Sequence, residues 1–279
     1  MITNFNRFHF LPSVDQENIS MINLSSIGRV FFGVSIAVMG FLTIYYHDFP
    51  YMLIPPKHSW MPGLTVLAYI SGALLVWSGA CIVFEKMIVS ASLLLGGVLL
   101  LIFCFGFIPY QLMVSPNNMH FGDWENAAKE LTLCSGAFVI AGCYEEKNES
   151  ALFRMLSKLI SFGPILFSIT IISYSVDHFL YAKEAADYVP SWVPNHLLWV
   201  YLGGVGLLGS GIAIILKIIP GLAATLLGSM IFIWFIILHI PRIIVSPKIY
   251  LGSEIASAFL ALAYCGIAFV IAGAPKKRD

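Results

Sequence analysis

Five side chains have types and spacing that could do chemistry together: Asp177, His178, His239, Arg242 and Glu254. His239 and Arg242 are three residues apart, so they share a helix face if the turn persists through Pro241. A guanidinium suits bidentate binding of an anion. An imidazole exchanges protons near neutral pH. An Arg beside His and carboxylates could hold an organic anion or a quinone head group, and a quinone takes up protons with its electrons. The structural alternative stays open: Arg and His at helix ends also anchor helices, offset the dipole and bind free carbonyls.

Other chemistries find little support. No two histidines stand at i,i+4 on one apolar run and no zinc-ligand spacing occurs, so no metal site is expected. Nothing supports a Ser-His-Asp nucleophile, and no catalytic residue is assigned. The five cysteines include no Cys-x-x-Cys pair and lie in or beside apolar runs, as small buried apolar residues do.

The elements that carry these residues are apolar. Hydrophobic residues make up 59% of the 279 positions and charged residues 11%, far below the roughly 25% of soluble domains. The chain reads as a polytopic all-α membrane protein whose partner is the lipid bilayer. Its zero net charge offers no basic surface for nucleic acid. Runs near the 20 residues that a spanning helix needs fall at about 27–46, 63–84, 87–108, 126–142, 159–179, 196–216, 220–240 and 253–273. They are continuous rather than alternating, which excludes a β-barrel. The fourth is polar at its start, where Glu125, Lys129 and Glu130 are expected to pair locally near the interface.

Eight spans put both tails and the 144–158 linker on one side. Lys57, Lys129, Lys183, Arg242 and Lys248 fall on the other side, and the remaining ten of the 15 Lys and Arg fall with the tails. By the positive-inside rule both termini are cytoplasmic, in an inner or plasma membrane. Trp60, Trp124, Trp192 and Trp199 then sit at the outer interface, with all five candidate residues near the outer helix ends.

The halves echo one another. Ser59-Trp60-Met61-Pro62 recurs 132 positions on as Ser191-Trp192-Val193-Pro194, and Ile108-Pro109 as Ile240-Pro241. After one dropped residue, Val114-Ser115-Pro116 meets Val245-Ser246-Pro247, and Phe138–Gly142 meets Phe269–Gly273. The expected architecture is therefore two four-helix bundles repeated in parallel. Residues 1–24 form an N-terminal tail, 25–143 the first unit, 144–158 a charged linker, 159–273 the second unit and 274–279 a basic tail. Glycines and serines crowd the second helix of each unit, where they let backbones approach.

The second half resembles the DoxX family. The likeness lies in Ser175-Val176-Asp177-His178-Phe179, Val189-Pro190-Ser191-Trp192-Val193-Pro194, His239-Ile240-Pro241-Arg242 and Leu262-Ala263-Tyr264-Cys265-Gly266. The first half is similar at Gly28-Arg29, Gly40, Ser59-Trp60 and Lys129-Glu130-Leu131. It departs at Thr43 and Tyr110, where His and Arg stand in the family pattern. The resemblance spans about residues 25–273. It implies a four-helix membrane fold and a redox-associated, quinone-linked membrane subunit with a redox partner protein. Two other functions fit the sequence: a small-molecule transporter, and a non-catalytic assembly or scaffold protein. Ionisable residues crowd the helix ends rather than the midplane, which speaks against transport.

Overall fold

The structure, a computed structural model, describes residues 14–55, 63–145, 150–245 and 252–274, with side chains from residue 24 onward. The Ser59-Trp60-Met61-Pro62 motif, His9, His58, Ser246-Pro247 and the basic tail from 275 lie outside the described residues. The described chain is all helical. Its main helices are α1 (Val14–Tyr46), α2 (Leu64–Val83), α3 (Ile88–Met113), α4 (Glu125–Ala141), α5 (Gly163–Leu180), α6 (His196–Ile215), α7 (Pro220–Val245) and α8 (Ser253–Gly273).

Seven helices are long and apolar enough to cross a membrane; α4 is not among them. It has 17 residues, with Glu125, Lys129 and Glu130 in its first turns, and spans about 25 Å at 1.5 Å per residue. The first helix starts earlier than its apolar run: polar residues from Val14 continue it outward, and its membrane-compatible part is Leu24–Tyr46. The linker is also partly helical, at Ala151–Ser157.

Each helix packs on its neighbours in sequence, and α8 closes back on α1, so the helices form a ring. Across its middle α4 touches α8. Phe32, Ile36, Met39, Leu133, Phe138 and Ile267 fill the centre. Of the seven apolar helices α8 is the most enclosed, with 72% of its window buried, whereas α7 at 22% shows most of its surface to lipid. Backbones touch where glycines face each other. Gly79 lies against the Gly33 carbonyl and Ala37, and Gly28 against Gly266. A side chain at any of these positions would collide with backbone.

Pro109 and Pro241 do not stop their helices, although their runs were expected to end at 108 and 240. A proline ring clashes with the carbonyl four residues back and removes a donor. Here each is preceded by a wider π turn, Phe103–Phe107 and Phe235–His239, closed by the Ile108 amide on the Phe103 carbonyl and the Ile240 amide on the Phe235 carbonyl. The extra residue in the turn absorbs the mismatch. The helix then resumes to Met113 and Val245.

The turns also match at a spacing of 132. Positive φ occurs at Gly63 and Asn195, at Glu85 and Lys217, and at Met87 and Ile219. Outside glycine this conformation is costly, most of all for β-branched Ile219.

Candidate functional site

The five residues singled out by sequence lie at one end of the ring but occupy three places. His178 on α5 and His239 on α7 line one cavity of about 230 Å³. Arg242 and Glu254 line a neighbouring groove. Asp177 faces away, toward the start of α4. Adjacent residues on a helix point about 100° apart, and Asp177 does not line the cavity that His178 lines.

Aromatic and aliphatic side chains line the cavity together. Tyr174, Trp199, Trp234 and Tyr264 line it, with Gly203, Met230 and Leu238. Trp199 and Trp234 meet edge to face, with centroids 6.4 Å apart. The Tyr174 and Tyr264 hydroxyls are 2.9 Å apart. His178 Nδ1 lies 2.7 Å from the Tyr174 carbonyl oxygen on its own helix. A carbonyl only accepts, so Nδ1 carries the proton and the neutral ring presents Nε2 as an acceptor. His239 Nδ1 is buried without a hydrogen-bond partner. Buried polar atoms are rarely left so; this one is closed off from the cavity that the ring lines. Ser175 ties the two sides of the site by donating to the Gly204 carbonyl at 2.7 Å.

Arg242 is committed elsewhere. Its Nε and Nη2 donate to the two Glu254 carboxylate oxygens at 2.8 and 2.6 Å, and its guanidinium lies over the Tyr188 ring at 4.6 Å. A guanidinium held by a bidentate carboxylate and an aromatic face is a strut between α7 and α8, with little left for an anion. His239 and Arg242 therefore share a helix but not a site.

Asp177 Oδ1 is buried without a hydrogen-bond partner, and the charged groups that act on the carboxyl are Glu125, Lys129 and His120. Glu125 and Lys129 pair as expected, at 3.1 Å. Glu130 does not. It is fully buried and neither carboxyl oxygen has a hydrogen-bond partner. It lies on the face of α4 that carries Cys134, whose thiol reaches the Gly96 carbonyl of α3 at 3.3 Å. Sequence placed Glu130 at the interface because its neighbours are charged; its direction into the bundle follows from the helical period.

The first half has a cavity 132 residues earlier, of about 30 Å³ and without polar lining. Ser71, Leu75, Val98, Leu99 and Ile102 stand where Gly203, Leu207, Met230, Ile231 and Trp234 stand in the second half. Phe49 and Leu53, from the segment after α1, enter it. Tyr46 precedes His178 by 132 positions and Phe107 precedes His239. In the neighbouring groove of the first half, Gln111 donates from Nε2 to the Asp123 carbonyl. Gln111 and Asp123 precede Arg242 and Glu254 by 131 positions, so Gln111 rather than Tyr110 makes the equivalent bridge. The one-residue slip that separates the Ile-Pro match from the Val-Ser-Pro match was the available signal.

Tyr174, Trp199, Trp234 and Tyr264 were not singled out as site residues. Tyr174 is one helical turn before His178, and Trp199 was assigned to interfacial anchoring. Among the described residues no group of three or more His, Cys, Asp or Glu is placed to hold a metal ion. No family model, no curated protein and no solved structure matches the chain.

Proposed function

We propose that the chain is an integral membrane protein that binds a quinone or quinol head group in the cavity between His178 and His239, as a redox-associated membrane component. The observation that carries this reading is the pairing of two imidazoles in one cavity. His178 Nε2 is an acceptor for a quinol hydroxyl. His239 lines the same cavity, and its imidazole is suited to a carbonyl or hydroxyl across the ring. Trp and Tyr faces suit a flat ring. The volume of about 230 Å³ holds one ring and its substituents, below the 300–1,000 Å³ usual for larger ligands. Arg242 and Glu254 brace the site from outside, and Asp177 belongs to a separate polar cluster.

The architecture we propose is eight spans in two tandem four-helix units. The ring of contacts, the paired π turns and the paired positive-φ turns at a spacing of 132 support it. Burial of α4 against α3, α5 and α8 gives its charged first turns protein rather than lipid to face. The bias of Lys and Arg supports cytoplasmic termini in an inner or plasma membrane. The likeness to DoxX proteins rests on the short motifs alone and favours the same redox reading. Transport and scaffolding are the competing readings.

The test is a visible absorption spectrum of gently purified protein, followed by mass spectrometry of its extracted lipids. Stoichiometric quinone, lost in His178→Ala and His239→Ala, supports the proposal. A colourless protein carrying bulk lipid alone contradicts it.

A further inference from the structure

The cavity has a neighbour across Met230. That side chain also lines a second, apolar opening of about 380 Å³ that runs along the seam between α6 and α7. Gly206, Gly209 and Ala213 line it from α6, and Leu222, Leu226 and Met230 from α7. A Cβ built on Gly209 meets nothing within 4 Å. Helix packing therefore gives no reason for this glycine, unlike Gly79 or Gly28. The two openings together reach from His239 to Ile219 of α7. That is about 30 Å at 1.5 Å per residue, close to the thickness of a bilayer's hydrocarbon core.

The matching cavity of the first half has only about 30 Å³. Leu74 and Trp77 stand 132 positions before Gly206 and Gly209, and Leu74 already crowds the small first-half cavity. A leucine and a tryptophan of one half are thus reduced to hydrogen in the other, beside the cavity that holds the imidazoles.

We propose that the α6–α7 seam is the tail subsite of the ring-binding cavity, so that the ligand is a ring head on a long isoprenoid or alkyl chain that enters sideways from the lipid. The inference rests on the head-group reading above. The head sits among Tyr174, His178, Trp199 and His239, and the tail passes Met230 and lies along Gly206 and Gly209. Little hydrophobic gain accompanies leaving lipid for an apolar groove. The groove selects instead by shape and close contact, as helix surfaces do in bilayers.

The experiment uses the full chain in lipid nanodiscs. Two probes are titrated: dimethoxy-methyl-benzoquinone without a tail, and the same ring carrying a decyl chain. Affinities are referred to the membrane-dissolved concentration of each. The decyl probe is expected to bind the wild type about tenfold more tightly. Gly209→Leu, whose side chain enters open space, is expected to remove most of that preference and leave the tail-less affinity and the melting temperature unchanged. Equal binding of the two probes, or a decyl preference that survives Gly209→Leu, overturns the tail subsite: the seam is then covered by bulk lipid, a phospholipid chain or a second copy. In both cases tail-less binding lost in His239→Ala leaves the head site standing. Failure of both probes to bind the wild type overturns both.

Discussion

The two halves place similar helices around similar turns and differ in what they leave open. In the second half, His178, His239, Trp199 and Trp234 surround about 230 Å³. In the first, Phe49 and Leu53 reach into the matching place and leave about 30 Å³. The groove beside each cavity differs in the same sense. Arg242 and Glu254 form a charged clamp in the second half, and Gln111 makes a neutral bridge to the Asp123 backbone in the first. One half carries polar chemistry and pays in packing; the other is packed and apolar at the same positions. Membrane helices gain little from burying apolar area against one another, so close contact decides their stability. On the proposed reading the packed half is the scaffold and the open half the site.

The largest expected effect separates the halves by ligand. His178→Ala combined with His239→Ala should weaken binding of the ring probe by about 100-fold or more, as loss of two buried hydrogen bonds of 1–3 kcal/mol each implies. Melting temperature should change little, because both side chains line a cavity and are only partly buried. Titration in nanodiscs, with a melting curve of the same sample, reads both. The mirror change, Phe107→Ala, should do the reverse. Phe107 is 2% exposed, and removing it should cost about 3 kcal/mol of stability with ring affinity unchanged.

A smaller effect tests the two bridges. Arg242→Gln copies the first-half residue into the second half. Arg242 is 36% exposed on its side chain, and solvent screening limits the pair to about 1 kcal/mol. A double-mutant cycle with Glu254→Gln should return a coupling of that size. Ring affinity should fall only a few-fold, since Arg242 lines the neighbouring groove. A loss as large as that of His239→Ala would place the guanidinium on the ligand.

The smallest expected effect concerns the two buried or half-buried glutamates. Glu254→Gln removes a bidentate partner and should lower the melting temperature. Glu130→Gln removes a carboxyl that has no hydrogen-bond partner, and should leave the melting temperature unchanged or raise it. Melting curves of the two variants side by side give the sign. A marked loss in Glu130→Gln would show that the carboxyl has a partner in the membrane.

The sequence made the helices legible because composition and run length alone separate membrane helices from other structure. It also drew attention to His178 and His239, since an imidazole at the end of an apolar run is out of place. It did not divide Asp177 from His178, because neighbours in sequence differ by about 100° in direction and only packing says which way the site lies. Nor did it show that Arg242 is neutralised: Glu254 is 12 positions away on the next helix. Prolines misled for a physical reason, since the π turns before Pro109 and Pro241 need no special residue and leave no mark in the sequence. The plug at Phe49 and Leu53 escaped notice because it is apolar like everything around it.

The measurement that tests the asymmetry most directly is photolabelling of the full chain with a benzoquinone that bears a photoreactive group on its ring, followed by peptide mapping. The expected result is label on α6 and α7 around Trp199 and Trp234, suppressed by excess unlabelled quinone, with α2 and α3 unlabelled. Label spread over both halves, or concentrated on α2 and α3, would contradict a single site in the second half.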